Sequence, residues 1–407
     1  MVVKILLLTQ IYPEPDDRDG YKPTKTVEYF AKEWVLAGHE VIAIHCQTKF
    51  PALYYLIPNK LANAVFKNTY ALIPTYSSRK RLIREEHGVK VCRLPMIKFM
   101  PSTSFPKWEM NRQVKRIISL CNKLSYRPDI VMGHFANPCF ELTARVGSEL
   151  GTRTSFVFHN DCKKGNVERY HLKQYADSID IIGGRSIIEA DSIKKNLDLQ
   201  YDPFICYSGV PNETVESIDR VCVKHSVKAE NIEFLYVGGL VVKKHVDTVI
   251  RAFHSVYQEG FHLTIVGGGP EEEHLHQLVD DMGLCDAISF TGRLSRDQVA
   301  AKMKEANIFA MVSEAETFGM VYLEAMLQGC IVIASIGGGF DGIIENGKNG
   351  YLSNAGDADK LSIVFRNILA MPKENWDKIG QAAIDTARSF SEKAVAEHYI
   401  NAVTQKK

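Results

Sequence analysis

The chain has 407 residues, 45% of them apolar and 24% charged, and a net charge of +1. The length predicts two domains, and the balance of residue types excludes a disordered or low-complexity chain. The apolar start of MVVKILLLTQIY ends after about seven positions, too soon for a membrane-spanning helix or a signal peptide, and no later stretch reaches about 18 uncharged apolar residues.

The elements follow in a regular order. VVKILLLT reads as a buried first strand, TVEYFAKEWVLAGHEV as a helix ending near Gly38, and VIAIHC as a second strand. Further strands are predicted at DIVMGH (129–134), TSFVFH (154–159), DIIGG (180–184) and PFICYS (203–208), with helices such as FELTARVGSELG (140–151) between them. Residues 49–108, rich in aromatic, proline and basic residues, break this rhythm and read as an insertion. The polar stretch 208–232 reads as a linker. The rhythm then restarts with EFLYVGG (233–239), LTIVGGG (263–269), AISFTG (287–292), IFAMVS (308–313) and CIVIAS (330–335). Alternation of this kind predicts an α/β chain of two doubly wound, Rossmann-like domains facing each other across a cleft. Their expected limits are 1–207 and 208–385, with 386–407 a closing helix that packs back across the junction.

The nine cysteines are dispersed, which excludes Cys-x-x-Cys zinc or redox motifs and predicts reduced, mostly buried thiols in a cytoplasmic protein. Residues 1–205 carry 30 Lys+Arg against 21 Asp+Glu, and the remainder carries 19 against 27. The excess peaks over 60–127, with 15 cations and only Glu85, Glu86 and Glu109 as acids. Such a half suits an anionic partner, and it also reads as a solvated basic face.

Three strand-to-helix turns of the second domain carry chemistry. IVGGGPEEEHLHQL offers backbone N–H groups and a helix start to a phosphate, or simply packs tightly; its glycines do not match the dinucleotide fingerprint. VGGLVVKKHVDTVIRAF places Lys243 and Lys244 on a turn, where they neutralise a diphosphate or remain solvated. EAETFGMVYLEAM sets Glu316 before a helix that begins near Phe318 and Gly319, and sets Glu324 among Leu323, Ala325 and Met326. Helix capping accounts for Glu316. It does not account for Glu324, an acid in an apolar run that needs a polar partner.

The Glu-x7-Glu spacing of Glu316 and Glu324 resembles that of retaining glycosyltransferases with the GT-B fold, above all glycosyltransferase family 4. SIGGGFDGIIENGKNGYL, FSEKAVAEHY, GHEV and PDIVMGH resemble further stretches of that family. The resemblance implies that Glu324 accepts hydrogen bonds from the ribose of a nucleotide-sugar donor, and that Glu316 sits by the donor sugar. It implies that N–H groups around Phe318, Gly319 and Met320 hold phosphate or sugar oxygens. Lys244, helped by Lys243, would stabilise the leaving diphosphate, and Gly268, Gly292 and Arg293 would line the nucleotide. His134 would reach the donor sugar, and Gly20, His159 and Asp161 would lie on the acceptor side. Departures from the pattern are Gly239 in place of an arginine beside the diphosphate, Met132 in place of a histidine, and Gly342, with Asp341 one residue earlier, in place of an acid. Arg185 is a candidate to replace the missing cation.

The resemblance thus implies sugar transfer with retention from a nucleoside diphosphate sugar, UDP-linked in expectation, to an acceptor hydroxyl, with no metal and no cofactor. The implied acceptor is a glycan or lipid-linked glycan of capsule, exopolysaccharide or cell-wall synthesis. An anionic membrane surface is the expected partner of basic 60–127, with Tyr54, Tyr55, Leu56, Phe66 and Trp108 touching lipid; nucleic acid is not an expected partner. The enzyme would be cytoplasmic, peripheral at the inner face of the membrane. Two rival readings are a nucleotide-sugar 2-epimerase and a non-catalytic nucleotide-sugar-binding subunit.

Overall fold

The computed structural model of the chain describes residues 2–13, 24–53, 82–100, 103–217, 231–314 and 316–405. It divides into two units. The first comprises Met1–Arg185, Glu189–Cys206 and Ala396–Lys407, and the second comprises Ser186–Ile188 and Tyr207–Val395.

The strands of the first unit are β1 (Lys4–Thr9), β2 (Glu40–His45), β3 (Thr48–Lys49), β4 (Leu82–Glu86), β5 (Val89–Arg93), β6 (Met96–Ile97), β7 (Ile130–His134), β8 (Arg153–Val157), β9 (Ile181–Gly184) and β10 (Phe204–Ile205). Eight form one sheet in the order β10-β9-β8-β7-β1-β2-β5-β4, and β3 pairs with β6 separately. Every neighbour in the large sheet is parallel except β4 and β5. Ile5, Leu6, Leu7 and Leu8 of β1 have no exposed surface, as a central parallel strand covered on both faces requires. The last residues of the chain complete this unit. The Trp34 indole N–H donates to the Ala396 carbonyl at 2.9 Å, and the buried Tyr399 ring lies edge-on to Phe30 and Trp34.

The second unit contains β11 (Ile232–Val237), β12 (Phe261–Val266), β13 (Ile288–Gly292), β14 (Ile308–Ala310), β15 (Ile331–Ser335) and β16 (Tyr351–Ser353), all parallel, in the order β13-β12-β11-β14-β15-β16. The chain runs outward from β11 through β12 to β13, then returns to the other side of β11 as β14. The order therefore reverses between β11 and β14, and in open parallel sheets ligands bind beyond the carboxyl ends of strands at such a switch point. The first unit has its own reversal, between β1 and β7.

Three expectations change. Residues 82–93, placed in an insertion, form β4 and β5 of the main sheet; β4 reads LIREE, is mostly exposed, and lacks the apolar run that marks a buried strand. Residues 54–81 and 101–102 of the expected insertion, with Tyr54, Tyr55, Leu56 and Phe66, lie outside the described residues. The stretch 208–232 is not all linker: Asn212–Ser217 is helical, and the Val210 N–H donates to the Phe390 carbonyl at 2.8 Å; 218–230 lie outside the described residues. The expected boundary at 386 falls inside the helix Lys373–Arg388, and the next helix is Glu392–Thr404. Of the described cysteines only Cys285 is exposed. Among the described residues no helix is long and apolar enough to cross a membrane.

Candidate functional site

In the second unit the loops that follow β11 and β14 meet. β11 ends at Val237, the chain turns through Gly238 and Gly239, and Val242–Lys244 forms a short 3-10 turn before the helix Val246–His254. After β14, the Glu314 N–H donates to the Lys243 carbonyl at 2.9 Å, which ties the two loops together. Two residues on, the Glu316 carboxylate accepts a hydrogen bond from the Lys244 ammonium. Their side chains are 16% (Lys244) and 20% (Glu316) exposed, so water screens the pair only in part. Lys244 is therefore no solvated loop lysine. Lys243 is: its side chain is exposed, and it contributes its backbone carbonyl to the loop contact.

The helix Met320–Leu327 starts beside this pair. Its N-cap, Gly319, has φ +91, and a Cβ there would lie 2.4 Å from the Tyr322 ring, so only glycine fits. Phe318 is 3% exposed and packs near Phe340, leaving only its backbone to a ligand. The first N–H groups of the helix lack intrahelical acceptors and carry part of the helix's positive end. Glu324 lies one turn further along. It is half-buried and has no hydrogen-bond partner among the described residues; burial raises its pKa, with Arg296 opposing. The polar partner that the sequence demanded for Glu324 is not supplied by the described protein.

The Gly267-Gly268-Gly269 turn divides between the two readings. A Cβ on Gly267 would sit 1.8 Å from the Gly238 carbonyl oxygen, and one on Gly269 would sit 2.1 Å from that of Leu240. These two glycines let the β12 loop lie against the β11 loop, which is tight packing rather than ligand approach. Gly268 differs: its nearest neighbours would be Glu272 and the exposed Arg293, beyond 3.4 Å. Gly292 is linked to the turn through its carbonyl, which accepts from the Gly267 N–H at 2.9 Å. A Cβ on Gly239 would meet nothing within 4 Å. Sequence reasoning missed Tyr236, whose hydroxyl donates to the Gly239 carbonyl at 3.1 Å and is held protonated by burial and by Glu316. No spacing pattern marks it. Asp341, the displaced acid, accepts from the Gly337 N–H at 2.7 Å and so braces its own loop.

In the first unit His134, His159 and Asp161 come together at the ends of β7 and β8. His134 is the most buried of the three: its ring has no exposed surface, with Nδ1 3.0 Å from His159 Nε2 and Nε2 3.4 Å from the Tyr399 hydroxyl, so both nitrogens have partners within the first unit. Burial, with Arg185 adding to it, pushes its pKa down to about 3 and keeps the ring neutral. His159 is less buried and stacks on Phe135, ring centroids 4.1 Å apart. Asp161 accepts the N–H groups of Ala136 (2.5 Å) and His159 (2.9 Å), which makes it a brace of the turn. Arg185 is 2% exposed, lies over the Phe30 ring and contacts Cys206 Sγ; it is a core residue of the first unit. Glu189, also missed, accepts the Asn160 and Arg185 N–H groups, and burial pushes its pKa up to about 7. Gly20 lies outside the described residues.

Residues 219–386 match the family Glycosyl transferases group 1. Among curated proteins the chain is similar to N-acetyl-alpha-D-glucosaminyl L-malate synthase of Bacillus anthracis, 28% identical over 243 residues, 56% of this chain and 62% of that protein. It is also similar to the GDP-mannose-dependent alpha-(1-6)-phosphatidylinositol monomannoside mannosyltransferase of Mycobacterium tuberculosis, 30% identical over 172 residues, 40% of this chain and 41% of that protein. The chain thus spans 62% or less of the length of these two relatives. A solved sucrose-phosphate synthase from Thermosynechococcus elongatus shares the fold, with a TM-score of 0.65 at 17% identity over 98% of each chain.

Two measurements check this geometry. Gly267→Ala should cost roughly 2 kcal/mol or more, because strain and a backbone clash coincide, whereas Gly239→Ala should stay within about 0.5 kcal/mol; urea midpoints at constant slope read both. Glu324→Gln should stabilise the protein more at pH 8 than at pH 4. Burial raises the folded-state pKa of Glu324 above its unfolded value, so the native state holds the extra proton and the parent loses stability as pH rises through that window. A stability difference independent of pH would refute the assignment.

Proposed function

We propose that this chain, whose residues 219–386 match Glycosyl transferases group 1 and whose fold is that of a solved sucrose-phosphate synthase, is a glycosyltransferase that moves a sugar from a nucleoside diphosphate sugar to an acceptor hydroxyl on a glycan or lipid, with retention at the anomeric carbon. The observation that carries the proposal is the Lys244–Glu316 pair beside a helix start at the switch point of the second unit, with the unpartnered Glu324 one turn along.

In this reading Glu324 accepts from the ribose hydroxyls, which supplies its missing partner. Lys244 and the N–H groups of Gly319 and Met320 face the diphosphate, and Glu316 orients Lys244 and the donor sugar. The acceptor oxygen forms its bond to the anomeric carbon on the face from which the diphosphate leaves. The bond from that carbon to the β-phosphate oxygen breaks, and this oxygen takes the acceptor's proton. Charge developing on the leaving group meets fixed donors in a partly water-excluded site, the usual source of most rate enhancement. The diphosphate is neutralised by the lysine and the helix start, without a divalent ion. UDP is the proposed nucleotide; the relative named as GDP-mannose-dependent makes GDP the alternative to test.

The first unit takes the acceptor, and its role in polysaccharide synthesis follows from an acceptor presented on lipid. Leu53, Phe99, Met100 and Trp108 are large exposed apolar side chains of that unit. Lys107 is exposed beside Trp108, and the Arg112 guanidinium lies 5.2 Å from the Trp108 ring centroid. Apolar side chains flanked by cations suit the surface of an anionic bilayer, which would make the enzyme peripheral at the cytoplasmic face.

A thermal-shift screen of UDP- and GDP-sugars should give one protecting donor, and turnover with that donor should require an acceptor and give the retained anomer. Glu316→Gln and Lys244→Met should each lower turnover by about 10²-fold or more, and EDTA should leave it unchanged. Epimerised donor without acceptor would establish the 2-epimerase reading instead, and binding without turnover would establish the non-catalytic one. Equal sedimentation with neutral and anionic vesicles would remove the membrane part.

A further inference from the structure

Lys98 follows β6, and its N–H donates to the Lys49 carbonyl at 2.9 Å. The residue is only 4% exposed, with its ammonium 5.3 Å from the Phe105 ring centroid. No carboxylate, carbonyl or hydroxyl among the described residues accepts a hydrogen bond from it. Glu109 is already committed: it accepts the N–H of Ile97, the residue before Lys98, at 2.7 Å and pairs with Arg112 at 2.5 Å. The charged group that faces Lys98 is another cation, Arg169, and burial together with that repulsion lowers the lysine pKa to about 8. Arg169 ends the helix Lys164–Arg169, is exposed, and has no acidic partner among the described residues. The Ser104 hydroxyl donates to the Arg169 carbonyl at 2.9 Å, so Ser104, next to Phe105, is fastened to that helix end.

A buried ammonium without a counter-ion is costly, and an apolar side chain of the same volume would fold better. A second cation beside it adds to the cost. An anion held between the two offsets both costs. Resting on the glycosyltransferase reading, we infer that Lys98 and Arg169 form a subsite of the first unit for a phosphate monoester carried by the acceptor. A phosphate monoester brings about −1.5 to −2 charges near neutral pH and three acceptor oxygens. It can take a guanidinium fork on one edge and an ammonium on another. The cation–π contact with Phe105 holds Lys98 in place meanwhile.

The test uses the full chain saturated with UDP and GDP, so that added phosphate cannot report on a donor site. Inorganic phosphate should then raise the melting temperature of the parent at pH 7, and the effect should fade as pH passes about 8 and Lys98 loses its proton. Lys98→Met should melt no lower than the parent without phosphate, yet bind phosphate about tenfold more weakly or worse. Arg169→Gln, at an exposed position, should weaken it too. Co-sedimentation with phosphatidylcholine vesicles, with and without phosphatidic acid, identifies the source. Lys98-dependent capture by phosphatidic acid indicates a lipid acceptor, and phosphate binding without capture indicates a soluble one; either outcome supports the subsite. Phosphate protection that is absent in the parent, or unchanged in both variants, overturns it. The donor reading is scored separately by UDP or GDP protection, which both variants retain.

Discussion

The pairing of β11 with β14 is the constraint from which the second unit's site follows. Parallel strands send all their carboxyl-end loops to one edge of the sheet, and the reversal of strand order sets two of those loops side by side with no strand between them. Lys244 leaves from one and Glu316 from the other, 72 residues apart in sequence. Their contact is a consequence of the strand order rather than of any local motif. A third loop, after β12, must then lie flat on the first, and Gly267 and Gly269 allow it to do so. Bulk at either position would push the β11 turn, and Lys244 with it, away from Glu316.

The first unit meets a different constraint. His134, His159, Asp161, Arg185 and Glu189 lie in one buried polar cluster at the ends of the strands. In a low-dielectric interior an uncompensated charge is expensive, so each group must be neutral or braced. The histidines are held neutral, and both acids accept backbone N–H groups. The outcome is rigidity: His134 orients His159, and Asp161 fixes the turn that carries both. That makes His134 a positioning residue, with His159 the member of the pair nearer to solvent.

Legibility in the sequence tracks burial. Central strands such as ILLL of β1 announce themselves through unbroken apolar runs, and the α/β alternation carries the fold class. The edge strand β4 does not, because an exposed, charged edge has no apolar signal. The Lys244 and Glu324 positions can be picked out, Glu324 because an acid in an apolar helix is a local contradiction. The burial of His134 is not legible in the sequence, because spacing shows that a histidine ends a strand, not whether its ring nitrogens face solvent or a tyrosine from the far end of the chain. Glycines are ambiguous for a similar reason: Gly267, Gly268 and Gly269 are adjacent and alike in sequence, yet two are fixed by backbone contacts and one is open.

The basic excess of the first half also resolves into distinct physical situations. Arg93 is bound to Glu86 and Arg112 to Glu109, pairs that take up two of the three acids of the region and contribute little net field. Lys107 is solvated beside Trp108. Lys98 alone of these is buried without a carboxylate. A count of charges weights all of them equally, whereas the free energy does not: exposed cations interact weakly and are screened, and a desolvated one interacts strongly with whatever anion reaches it. The long-range attraction of the basic half therefore belongs to many residues, whereas the subsite proposed for an anion rests on Lys98, the most buried lysine among the described residues of that half.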